Sequence, residues 1–249
     1  MNNQTHDSFC DQSRLPPVFQ RVLLPFVLAI LLAITLPSAA DDFIDAKRSF
    51  DAEEYSKAVH LLRPLAERGD PRAQHLLGFA YILGKGVKIS DKQAAFWLRK
   101  AVAQDYTPAY ALYGGLLMRI DRSPARGLPL IKIGVHRGDP QAQASLGMLY
   151  FMGRPGVPVN MAESKRLLLL AAGQRHKGGY LGLAIWHASD KGKKPDFVEL
   201  LKWIVIDTRI GTGAADLYRS RALKHLNQAQ VAEANHRAAA WLKAHGETP

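Results

Sequence analysis

Thiols are nearly absent. The 249-residue chain holds one cysteine, Cys10, so no disulfide can form within it and no cysteine-based zinc site can be assembled. The spacings that carry chemistry are missing as well. There is no His-Glu-x-x-His, no Gly-x-Ser-x-Gly and no phosphate-binding Gly-x-x-x-x-Gly-Lys-Ser/Thr. Gly84-Lys85-Gly86 and Gly153-Arg154-Pro155-Gly156 look like phosphate loops, but they recur with the repeat described below and so read as inter-helix turns. Histidines are present, yet His75, His136, His176, His187, His225 and His236 fall singly on helices or turns. Surface or helix-end positions are expected for them, and no metal or cofactor site. Catalysis needs converging titratable groups, and none converge here. The expectation is a protein that is not an enzyme. A hydrolase with a novel site in a groove is the enzymatic alternative, with no motif behind it.

Acidic residues are in short supply. Lys and Arg number 33 against 22 Asp and Glu, a formal charge of +11. Asp7, Asp11, Arg14 and Arg21 cancel, so the excess falls on residues 41–249. A basic body suits anionic surroundings. Long apolar runs are scarce too. One stands out, the 15 residues Val22 to Leu36, short of the ~20 that a spanning helix prefers. Arg14 and Arg21 precede it, and Pro37-Ser38-Ala39-Ala40 follows. That layout predicts a signal peptide, residues 1–40, cut after Ala40, and hence a periplasmic or secreted protein. The alternative is an inner-membrane anchor formed by residues 22–36. Cys10 would leave with the cleaved segment.

What the body has is a repeat. Ala73 to Tyr81 (AQHLLGFAY) recurs as Ala142 to Tyr150 (AQASLGMLY), with weaker copies at Ala109 to Leu117 and Lys177 to Ile185. The glycines Gly78, Gly114, Gly147 and Gly182 stand 36, 33 and 35 residues apart. A second register agrees. Gly86, Gly156 and Gly192 each precede Trp97, Leu167 and Trp203 by 11 residues, with Ser90, Asn160 and Asp196 between them. Those three are N-cap types, whose side-chain oxygens accept free backbone N–H groups at a helix start. Each unit therefore reads as helix, glycine loop, helix, turn. A pair this short cannot bury its apolar face alone, so units must stack. Gly78, Gly147 and Gly182, with Tyr81, Tyr150, Trp97 and Trp203, are expected to interlock small against large residues in that stack.

The pattern carried by Ala73, Leu77, Gly78, Tyr81, Gly84, Gly86 and Val87, and again by Ala142, Leu146, Gly147, Tyr150, Gly153, Gly156 and Val157, resembles the Sel-one-like (Sel1-like) repeat, a relative of the tetratricopeptide repeat. The resemblance implies an all-α fold, a right-handed α-solenoid of antiparallel helix pairs with a concave binding face. The expected divisions are an opening pair at 41–72, repeats at 73–108, 109–141, 142–177 and 178–212, and closing helices at 213–249, where Asn227 and Gln230 would form a capping box. Unit 109–141 lacks the glycine loop. The resemblance implies a protein-interaction scaffold with no catalysis. Bacterial members serve envelope processes such as exopolysaccharide export, host-cell interaction and signalling. Cysteine-rich members reported to bind penicillin-like compounds are no guide, since the cysteines are missing here.

Two surfaces stand out as candidates. Ile82, Met118, Phe151 and Trp186 lie four residues after the repeat glycines, with Phe79 and Met148 beside them. They form either inter-repeat core or an apolar stripe gripping a partner protein or peptide. On the stripe reading, Phe151→Ala or Trp186→Ala abolishes capture with the fold intact. On the core reading the same changes cost helix. The second candidate is basic: Arg119, Arg122, Arg126, Lys132 and Arg137 crowd the irregular unit, and Lys193 and Lys194 lie further on. They form either a solvated face or a docking surface for anionic glycan or lipid. Nucleic acid is not expected, because no aromatic recognition motif interleaves with the charge.

Overall fold

A computed structural model describes residues 39–154, 156–191, 194–210 and 213–247. The expected signal segment lies outside them except for Ala39 and Ala40, which open the first helix. No helix among the described residues is long and apolar enough to cross a membrane.

The chain is an α-solenoid of consecutive helix pairs. The opening pair is α1 (Ala39–Asp51) and α2 (Tyr55–Glu67). Four pairs follow: α3 (Pro71–Leu83) with α4 (Asp91–Ala103), α5 (Thr107–Asp121) with α6 (Gly127–His136), α7 (Pro140–Met152) with α8 (Met161–Gly173), and α9 (Lys177–Ala188) with α10 (Phe197–Ile210). A 3₁₀ turn (Ala214–Tyr218), α11 (Arg219–Leu223) and α12 (Gln228–Ala244) close the stack. Among the described residues β pairing is limited to an isolated antiparallel bridge between Arg154 and Val157.

Local chemistry sets these boundaries. Ser90, Asn160 and Asp196 accept the backbone N–H groups of Gln93, Glu163 and Glu199 and so start α4, α8 and α10. Asp70 and Asp139 cap α3 and α7 in the same way. The capping box at Asn227 and Gln230 forms, with both reciprocal bonds present. The turn joining one pair to the next needs a residue with positive φ at the same place in every unit. Gly69 (φ 101°), Asp105 (60°), Gly138 (78°) and Arg175 (60°) fill it. Two of the four are not glycine, and aspartate tolerates this region better than most residues.

A repeated side-chain clasp seals the pairs. Gln104 Nε2 donates to the Gly69 carbonyl and to Gln74 Oε1, both at 2.9 Å. Gln174 repeats this on Gly138 (3.0 Å) and Gln143 (2.9 Å). The irregular unit substitutes Arg137 and Tyr110 for the two glutamines. Arg137 pairs with the Asp105 carboxylate at 2.6 Å, and its guanidinium lies 4.9 Å from the Tyr110 ring centre. The Tyr110 hydroxyl donates to Asp105 Oδ1 at 2.7 Å. The Arg137 hydrogen bond, then that of Tyr110, hold the Asp105 carboxyl below its usual range.

The first helices of successive pairs pack against one another from α3 through α5 and α7 to α9, whereas the second helices show no comparable packing. The first helices therefore line the inner, concave side. The buried apolar residues fall into three groups. Two are large, and the third, around Met118, Ile131, Ala142, Leu146 and Leu167, is small and joins the irregular unit to the repeat that follows it.

Burial also sets a pH response. His75, on α3 beside Tyr106, is pushed down to about 4 by loss of solvent. The unfolded value is about 6.5, so below that pH the unfolded chain takes up a proton that the folded chain refuses. Stability from this residue is full above pH 6.5 and is lost as pH falls towards 4, on the order of 2–3 kcal/mol in all. Denaturation midpoints at pH 7.5 and 4.5 should differ less for His75→Gln than for the wild type. An equal difference would remove His75 as the cause.

Candidate functional site

A cleft opens on the concave side between α5 and α7, with a volume of about 580 Å³. It arises because the irregular unit is built differently. In place of a glycine loop, α5 runs 15 residues against 13 for α3 and α7, and α6 is only 10 residues long. The short segment 122–126 then turns directly from α5 into α6. Gly114 and Gly127 let the two helices meet backbone to backbone.

The floor of the cleft is apolar, made by Met118, Ile131, Leu149 and Met152, and its rim carries Arg119, Arg122 and Arg154. Gly115 leaves one wall without a side chain, and nothing lies within 4 Å of where its Cβ would stand. Arg119 is paired with Asp91 at 2.5 Å. Arg122 and Arg154 are exposed and have no acidic partner among the described residues. Arg154 is fixed through its backbone, which exchanges two 2.8 Å hydrogen bonds with Val157.

The apolar stripe is not a groove lining. Phe151 is 7% exposed, Trp186 8% and Met118 8%. Phe151 and Trp186 belong to the large C-terminal core, with Met148 half-buried against it. Ile82 packs half-buried on the N-terminal core, and Phe79 sits 6.0 Å from Phe50. The physical reason is the stacking of the units: the apolar surface of these residues is spent against the core groups that join neighbouring pairs. Trp186 donates its indole N–H to the Met161 carbonyl at 3.3 Å, and Lys165 covers its ring. Met118 alone of the six reaches the cleft.

The basic group is also thinner than its composition implied. Arg119, Arg126 and Arg137 pair with Asp91, Asp121 and Asp105, and Arg137 is part of the inter-unit clasp. Lys132 and Lys194 are exposed, and Lys193 lies outside the described residues. The residues assigned to the repeat framework behave uniformly. Trp97 and Trp203 are buried. A Cβ on Gly78, Gly147 or Gly182 would meet Leu98 or Leu168 at 3.0 Å or less. Gly86 and Gly156 hold turns at positive φ. Tyr81 is buried and Tyr150 half-buried. His187, in the last turn of α9, is buried against Trp186 and is not a surface residue. Among the described residues, His, Cys, Asp and Glu nowhere gather in a group able to hold a metal ion.

Sequence reasoning did not assign Gly115, Ser145, Leu149, Met152 or Arg154 to a candidate site. A helical-face count holds the missing signal. Gly115, Met118, Arg119 and Arg122 fall at i, i+3, i+4 and i+7, and Ser145, Leu149 and Met152 at i, i+4 and i+7.

Stacked helix pairs with glycine contacts, capped starts and a shared inner row define an α-solenoid of the Sel1-repeat class. The Sel1 repeat model matches residues 52–70, 71–106 and 140–176, so the chain carries Sel1 repeats over these segments. An uncharacterized protein of Neisseria meningitidis serogroup B is 33% identical over 99 residues, which is 39% of this chain and 21% of that protein. The chain thus spans about a fifth of that relative's length. Among solved structures, a Sel1 repeat protein from Oxalobacter formigenes is similar with a TM-score of 0.58 and 18% identity, covering 80% of this chain and 84% of that one. Immunity protein Pa5087 from Pseudomonas aeruginosa is similar at 0.56 and 16%, covering 84% and 81%. Both likenesses speak to the fold. Sel1-repeat proteins are generally protein-interaction scaffolds and typically non-catalytic.

Proposed function

We propose that the chain is an exported scaffold of the bacterial envelope that holds a partner protein along its concave row, without catalysis. The observation that carries this is the inner row of first helices α3, α5, α7 and α9, with a cleft open between α5 and α7. Solenoids offer such rows as extended binding surfaces. Export rests on the sequence of residues 1–40. Docking on anionic glycan or lipid is the weaker reading, because three of the five bases in its main cluster are already neutralised by Asp91, Asp121 and Asp105.

In-cell crosslinking of the tagged full chain, followed by fractionation and N-terminal sequencing, tests both halves. The expected outcome is a mature chain beginning at Asp41 in the envelope fraction, with a discrete protein adduct. A cytoplasmic chain that keeps its first residues would overturn export. A chain recovered free of adducts, yet retained on acidic vesicles in a salt-sensitive manner, would overturn the scaffold in favour of surface docking.

A further inference from the structure

The cleft between α5 and α7 combines an apolar floor with guanidinium groups that nothing neutralises. No aspartate or glutamate lines it. Arg119 is engaged by Asp91, which leaves Arg122 and Arg154 available. A ligand matching this lining is anionic at one point and apolar immediately beside it.

Arg122 supplies a second observation. It terminates α5 at φ 51°, in the left-handed region. The corresponding helix ends of α3 and α7 use glycines, Gly84 (71°) and Gly153 (67°). A side chain with a Cβ is disfavoured there relative to glycine. Glycine would hold this turn without that cost, whereas Arg122 places a guanidinium at the cleft where α3 and α7 end on residues without a side chain. The far wall is arranged compatibly. Lys191 donates to the carbonyls of Phe151 (3.1 Å) and Met152 (3.2 Å). These lie at the end of α7, whose partial negative charge would otherwise repel an anion beside Arg154.

Resting on the scaffold reading above, we propose that this cleft takes a segment of the partner protein that sets an acidic side chain beside a bulky apolar one. The carboxylate sits on Arg122 and Arg154, and the apolar side chain enters over Met118, Ile131 and Leu149. Three features favour a peptide over a fatty-acid anion. The cleft lies on the concave row rather than at an end of the stack. The bare wall at Gly115 leaves room for an extended backbone. Ser123 and Ser145 put hydroxyls in the walls, whose oxygens accept from Ala125 and Gln141 and whose protons can reach the carbonyls of a bound backbone.

The test uses fluorescein-labelled hexapeptides on the full chain. One set carries Asp or Glu next to Phe or Leu. In a second set Lys replaces the acid, and in a third Ala replaces the apolar residue. The first set should bind, and the other two should bind at least tenfold more weakly. Losing one charge-assisted contact weakens binding roughly tenfold, so Arg122→Gly and Arg154→Gln should each raise Kd by about that factor. Arg122→Gly should do so with an unchanged or higher melting temperature. Gly115→Leu should fill the cleft and abolish binding with the helical circular dichroism intact. Equal affinity across the three peptide sets, indifference to Arg122→Gly and Gly115→Leu, or binding of dodecanoate without binding of any peptide would overturn the proposal. Crosslinking separates it from the scaffold reading. An adduct that survives Gly115→Leu removes the cleft and keeps the scaffold. Variant-sensitive peptide binding with no adduct in cells keeps the cleft and removes the scaffold.

Discussion

Replacing Gly127 with alanine is expected to destabilise the protein by about 3 kcal/mol or more. The added Cβ would stand 2.1 Å from the Gly114 carbonyl oxygen and 2.5 Å from Met118 Cγ. The first neighbour is backbone of a packed helix, so relief requires α5 and α6 to part. Gly114→Ala meets the same wall from the other side, 2.6 Å from the Gly127 carbonyl oxygen and 2.7 Å from Ile131 Cγ1. The adjacent Gly115 is the control. A Cβ there meets nothing within 4 Å, so Gly115→Ala should stabilise by up to ~1 kcal/mol through helix propensity alone. Two neighbouring glycines on one helix should thus respond with opposite signs. At roughly 2–4 °C per kcal/mol for a chain of this size, thermal melts resolve them. The smallest of the three core groups joins the irregular unit to the next repeat. In a solenoid each unit is stabilised by its neighbours, so Gly127→Ala should split the melt into two transitions. A single transition at the wild-type temperature would show that the α5–α6 contact is soft.

The repeat could be read from residues because its causes are local. A glycine every 33–36 residues, a capping Ser, Asn or Asp ahead of α4, α8 and α10, and Asn227 with Gln230 three later all act within one or two turns of helix. The cleft could not, because its walls come from two units: Gly115, Met118 and Arg122 on one side, Leu149, Met152 and Arg154 on the other. No short motif joins them. The same reason explains the misreading of charge. The acids that neutralise Arg119 and Arg137, Asp91 and Asp105, stand 28 and 32 residues earlier in the chain. Periodicity likewise shows that Ile82, Met118, Phe151 and Trp186 share a register. It does not show whether that register faces solvent or the next repeat, because an inner helix of a solenoid has apolar demands on both sides.

That distinction gives Trp186→Ala and Trp203→Ala their expected result, which is loss of stability. Trp203 is 1% exposed, stacks on Tyr180 at 6.4 Å and meets Trp241 edge-on at 5.6 Å. Removing it empties the centre of the C-terminal core and should cost up to ~5 kcal/mol. Trp186 keeps a strip of surface and one hydrogen bond to Met161, so Trp186→Ala should fall nearer ~3 kcal/mol. Phe151→Ala should lie in the same range, since its ring is enclosed by the same core and covered by Lys191. Urea denaturation followed by circular dichroism reads all three. If Phe151 and Trp186 instead served as anchors for a partner, their alanine variants would keep the wild-type midpoint and lose only capture. That outcome would return the apolar register to the binding surface. The burial of both rings argues against it, and so does the supply of capture chemistry elsewhere: the cleft offers charge and apolar floor together, and its two exposed arginines, Arg122 and Arg154, can be removed without touching the core.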